Sequence, residues 1–157
     1  MADIRIVFMI ATLATASILH QSCGSFEMPQ VCKAFYSLPG SERERQFPGY
    51  PLDQQLEIYH CGMQYRPPKI TWAWDIADRG EKIIPELLRR MKSEESEPTQ
   101  AELIFIFRVM SRRGYLRERH DVVDEIREIV SHMGRNRTWA QESLDEIEDN
   151  MKKAATE

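Results

Sequence analysis

From Leu52 onward, apolar residues return every three or four positions, the period of helices that bury one face. Leu52, Leu56, Tyr59 and Met63 form one such stripe, and Pro67-Pro68 ends it. A short helix is predicted from about Thr71 to Arg79, with Trp72, Ala73, Ile76 and Ala77 inward and Gly80 as its stop. Ile83, Ile84, Leu87, Leu88 and Met91 make the next stripe, in which Pro85 fits only a first turn. Thr99 with Glu102 reads as a capping box that opens a helix apolar on nearly every side, through Leu103, Ile104, Phe105, Ile106, Phe107, Val109 and Met110 to Gly114. A helix of that kind belongs at the centre of a fold. Val122, Val123, Ile126, Ile129, Val130 and Met133 follow, stopped by Gly134. A second capping box, Thr138 with Gln141, opens a last helix with Ala140, Leu144, Ile147 and Met151 inward. Six helices with short connections predict an all-α body over 52–157.

The chain before Pro51 reads differently. Leu38 to Pro51 holds three prolines, two glycines and alternating charges, which predicts a surface loop inside an irregular segment, 25–51. Further back, Ile6 to Leu19 carries no charge over fourteen residues. That is too short for a bilayer span, which takes roughly twenty residues. Behind a weakly positive Met1–Arg5 it fits the apolar region of a secretory signal peptide covering 1–24. Ser22-Cys23-Gly24 offers a cleavage site that would start the mature chain at Ser25, and Ala14-Thr15-Ala16 offers another. A third outcome is lipidation of Cys23. The stretch Leu19-His20-Gln21-Ser22-Cys23 resembles the lipobox of bacterial lipoproteins, although its aliphatic residue stands four positions before the cysteine and His20 fills the usual aliphatic place.

Export changes the reading of the cysteines. Three in an exported chain leave one over, and removal or lipidation of Cys23 resolves that. Cys32 and Cys61 then remain, and in an oxidising compartment a disulfide is the default for such a pair. Two buried thiols are the alternative if the chain is not exported.

The run Gly80-Glu81-Lys82-Ile83-Ile84-Pro85-Glu86-Leu87-Leu88-Arg89-Arg90-Met91 resembles the first helix of a HEAT repeat, in which aliphatic pairs flank a proline. The helix Thr99 to Arg113 would be its partner, so the resemblance rests on a hairpin over 80–113, with 52–79 and 120–153 as neighbouring hairpins of similar kind. It implies a stack of antiparallel helical hairpins whose typical work is to bind protein partners. The alternative architecture is a compact bundle.

Composition and chemistry narrow the function. A net charge of −4 gives no general attraction toward nucleic acid. Phosphate loops, H-E-x-x-H, G-x-S-x-G and C-x-x-C are all missing from the sequence. His60 and His120 could serve a hydrolase or a metal site. Against this, adjacent residues on a helix point about 100° apart, so His60 and Cys61 do not converge, and solvated histidines are the default. The sequence therefore predicts no enzyme, no cofactor and no metal. Two surfaces are candidates for a partner. Tyr65, Trp72 and Trp74 are of the aromatic type favoured at interfaces, and with two-residue spacing the tryptophans cannot both be buried on one helix face. One of them faces a neighbour, the N-terminal segment or solvent. Arg112, Arg113 and Arg117 belong to a group of five arginines between 108 and 119, opposed only by Glu118. They suit an anionic partner, a solvated face, or pairing with the acidic last helix. The leading expectation is an exported, non-enzymatic helical protein of the bacterial periplasm or cell envelope. It would bind another protein and touch a membrane only through a lipid on Cys23. An inhibitor or immunity-type protein that blocks an exported enzyme is the runner-up.

Overall fold

The computed structural model describes residues 28–156. The expected signal peptide and Cys23 lie outside them. Eight α-helices make up the described chain: α1 (Gln30–Ser37), α2 (Gly40–Gln46), α3 (Leu52–Met63), α4 (Trp72–Ala77), α5 (Ile84–Ser93), α6 (Glu97–Arg112), α7 (His120–His132) and α8 (Arg137–Ala154). Two single 3₁₀ turns, Phe47–Gly49 and Glu81–Ile83, join them, and there is no strand among the described residues. None of these helices is long and apolar enough to cross a membrane. The fold is all-α, as the periodicity predicts.

The α6 helix lies at the centre. Its residues from Ala101 to Phe107 are all buried, and it packs against α3, α4, α5 and α8. α7 closes the far side against α8 and α5. Leu87 and Met91 of α5, Val122 and Ile126 of α7, and Leu144 and Ile147 of α8 fill one continuous apolar core around it. Gly80 and Gly114 end their segments with φ of +77° and +81°, the left-handed region in which a Cβ is disfavoured.

Three local expectations are corrected. First, 28–51 is helical, not irregular. Pro29, Pro39 and Pro51 stand immediately before α1, α2 and α3, where a missing N–H donor costs no intrahelical hydrogen bond, so they start helices instead of breaking them. Within α2, Glu42 hydrogen-bonds Arg45 and Gln46 one turn on. Second, α6 starts at Glu97 after Ser96, with Pro98 in its first turn, and Thr99 makes no capping bond to the backbone; its hydroxyl donates to Ser96 Oγ at 3.1 Å. Third, α8 starts at Arg137 with no side-chain cap of its own. The Glu97 carboxylate serves that end from across the fold, accepting the Gly134 N–H at 2.8 Å and the Asn136 N–H at 3.3 Å. These main-chain bonds hold the Glu97 carboxyl below the usual range.

Candidate functional site

Cys32 on α1 and Cys61 on α3 form a disulfide with their Cα atoms 6.4 Å apart. Both are buried, and the bond fixes α1 across α3. Phe35 of α1 then meets Phe47, Tyr50 and Trp72 at ring-centroid distances of 5.7, 5.8 and 5.4 Å. The buried Gln55 amide donates to the Phe47 carbonyl at 2.7 Å and accepts from Arg79 Nε at 2.6 Å. Arg79 also donates to the Tyr50 carbonyl, so the buried Gln55 amide and the Arg79 guanidinium are both engaged, whereas the Trp72 indole N–H is buried without a partner among the described residues.

The tryptophans divide as their spacing requires. Trp72 is buried beneath Phe35 and Phe47 and offers nothing to a partner. Trp74, half-buried, turns the other way and lies 5.8 Å from Phe105, which stacks on Trp139. Tyr65 is also half-buried, 4.8 Å from Tyr36. No single aromatic surface results.

The arginines are engaged within the fold. Arg108 and Arg112 both pair with Glu146 of α8, and Arg113 pairs with Asp78 at 3.1 Å. Arg117 lines a groove with Arg112, Arg113 and Lys153 at the ends of α6 and α8. Cations at the carbonyl ends of helices interact favourably with the helix dipole, which is a role within the fold.

The larger recess opens elsewhere, between α3, α5 and the first turns of α6. It has a volume of about 790 Å³. Asp53, Glu57 and His60 come from α3, Arg89 and Arg90 from α5, and Glu94 and Ser96 from the connection to α6. Glu102 forms its floor. This residue, read from sequence as half of a capping box, is only 5% exposed in the apolar centre of α6, and its Oε2 lies 2.7 Å from His60 Nδ1. The hydrogen bond to Glu102 raises the pKa of His60 above the usual histidine value; burial opposes the rise, and the charges of Glu102 and Glu94 add to it. Arg89 and Arg90 face the same space, yet both donate to Glu86, whose carboxyl is held down at about 2 by them. His120 is the exposed first residue of α7 and takes no part in the cleft. Among the described residues no three His, Cys, Asp or Glu side chains come together as a metal-binding group.

The pairing of His60 with Glu102 was missed because 42 positions separate them. One signal was present: a carboxylate inside an otherwise apolar stretch of a central helix is rarely buried without a partner. Comparison with protein-family models, with curated proteins and with solved structures finds no match for this chain.

Proposed function

We propose that this chain is an exported, non-enzymatic helical protein that binds another protein in the α3–α5–α6 cleft. The observation that carries the reading is the cleft itself. It is a recess of about 790 Å³ whose walls come from three helices and whose buried floor residue is already held in place by His60. A site pre-shaped in this way binds with little loss of conformational freedom. Export is supported by the buried Cys32–Cys61 bridge, a bond characteristic of oxidising compartments, and by the uncharged stretch Ile6–Leu19. The same reading takes 1–24 as a signal peptide, with Cys23 as a site for a lipid anchor. HEAT-like stacking belongs to it as well, with α5 and α6 as the central hairpin.

Two measurements test the two halves. A photo-reactive residue at Glu57 or Ser93 in the cleft, in cells of the host, is expected to give one recurring adduct that the same residue at Glu128, on the exposed side of α7, does not. Absence of that adduct from folded, exported protein would overturn the cleft. The intact mass of unreduced protein from the host is expected to match 25–157 less two hydrogens, or to carry a diacyl or triacyl group on Cys23. A full-length mass with three free thiols would overturn export.

A second reading has one observation in its favour. A carboxylate at Nδ1 is the arrangement that orients an imidazole as general base. The nearby hydroxyls bond elsewhere, however: Ser93 to the Arg90 carbonyl and Thr99 to Ser96. Hydrolysis of an activated ester that disappears in His60→Gln would favour this reading over simple binding.

A further inference from the structure

The floor of the cleft holds a buried carboxylate whose cation can be removed by a change of pH. Glu102 Oε2 faces His60 Nδ1 at 2.7 Å. The other charged groups around that imidazole are Asp53 and Glu57 on its own helix, Arg89 and Arg90 on α5, and Glu94 in the connection before α6. Neither arginine is directed at Glu102. Arg89 donates to Glu86 through Nε and Nη2 at 2.7 and 2.6 Å, and Arg90 Nε donates to the same carboxylate at 2.8 Å. Glu94 Oε1 accepts the Ser96 N–H at 2.8 Å. The Tyr59 hydroxyl, pushed well above the usual phenol range by burial, donates at 3.4 Å to the main-chain carbonyl of Glu102, not to its carboxylate. Within the cleft, the proton on His60 is therefore what balances Glu102.

Resting on the cleft-binding reading above, we propose that the His60–Glu102 pair is a proton switch that decides whether the cleft accepts a basic side chain of the bound partner. With His60 protonated, the imidazolium satisfies Glu102 and a second cation would be repelled. Loss of that proton leaves a carboxylate that is costly to keep buried without a cation. A lysine or arginine reaching the floor then supplies one. The four carboxylates around the cleft, Asp53, Glu57, Glu94 and Glu102, favour the same charge in the occupant. Because the hydrogen bond to Glu102 raises the imidazole's affinity for its proton, the switch operates above the ordinary histidine value of about 6.5.

The test uses the full, disulfide-bonded chain observed by NMR, with acetyl-Gly-Arg-Gly-amide as probe and acetyl-Gly-Glu-Gly-amide as its opposite-charge control. The arginine probe is expected to shift the amides of Ser93, Thr99 and Glu102, and to bind about tenfold more tightly at pH 8.5 than at pH 5.5 through the change of one nearby charge. His60→Gln should abolish that pH dependence while keeping a donor toward Glu102. Glu102→Gln should lower the His60 titration midpoint read from its ring protons. Arginine-probe binding in the cleft that is equal at both pH values would overturn the switch and leave the cleft standing. An unmoved His60 midpoint in Glu102→Gln would do the same. No shift of cleft amides by either probe at either pH would overturn the cleft as a binding site. Tighter binding of the glutamate probe at pH 8.5 would overturn the proposed charge of the occupant.

Discussion

The two ends of the molecule are held together by different means. Helices α1 to α4 run six to twelve residues, and their shared core is aromatic, built on Phe35, Phe47, Tyr59 and Trp72. Helices α6 to α8 run thirteen to eighteen residues around a mainly aliphatic core of Ile104, Ile106, Val122, Ile126, Leu144 and Ile147. Isolated helices shorter than about 12–15 residues are marginal in water. The short-helix end adds what length does not supply: a covalent bond, a glutamine–arginine junction and interlocking rings. The long-helix end needs only its stripes, with ion pairs such as Arg127 to Glu148 at 2.8 Å laid over them.

Five variants, one of them followed across pH, sharpen that contrast. Phe107→Ala, in the centre of α6 at 0% exposure, is expected to cost about 3–5 kcal/mol by urea unfolding. A loss below ~1 kcal/mol would show that the aliphatic end collapses to refill the space. The double change of Cys32 and Cys61 to Ser should cost about 3–4 kcal/mol for a loop with ends 29 positions apart. Hydrogen exchange should place that loss in α1 and α2 and leave α6 to α8 protected; a uniform loss would mean that the two ends unfold as one unit. Gly62→Ala puts a Cβ 2.4 Å from the Tyr36 hydroxyl and 3.1 Å from Lys69 Cβ, and overpacking of this kind costs about 1–3 kcal/mol. The stability advantage of the native chain over Glu102→Gln should vary with pH. His60 has a raised pKa in the folded state, so its contribution is complete below about 6.5 and fades as pH rises through the folded value. An advantage that grows with pH would contradict the pairing. Arg112→Ala is the smallest: it should change stability by less than ~1 kcal/mol, because its pair with Glu146 is largely exposed.

Much of the long-helix end was legible in the sequence, because each of its helices spans enough turns for the 3.6-residue period to repeat. Gly114 marked the stop of α6, as Gly80 marked that of α4 at the other end, through a backbone conformation that other residues avoid. The short-helix end was less legible. Seven residues from Gly40 to Gln46 make less than two full turns, too few for a stripe, and prolines placed before helices look the same in sequence as prolines that prevent them. Both capping boxes matched a local pattern that the fold did not use. α6 starts at Glu97, with Pro98 in its first turn, so Glu102 lies within the helix and is buried instead of serving its end. The cleft depends on packing between α3 and α6, which leaves no periodic trace. The disulfide was legible from the cysteine count and the expectation of export, not from geometry.

The Cys32–Cys61 bond also makes a ring of the main chain from 32 to 61. The rim of that ring is α2, where Glu44 and Arg45 are exposed. A protease that cuts after Arg45 would release nothing: both pieces would travel together at nearly the mass of the intact chain and separate only when the sulfurs are reduced. Damage at this loop would thus be invisible on an unreduced gel, and a chain nicked there would keep its two halves beside one another.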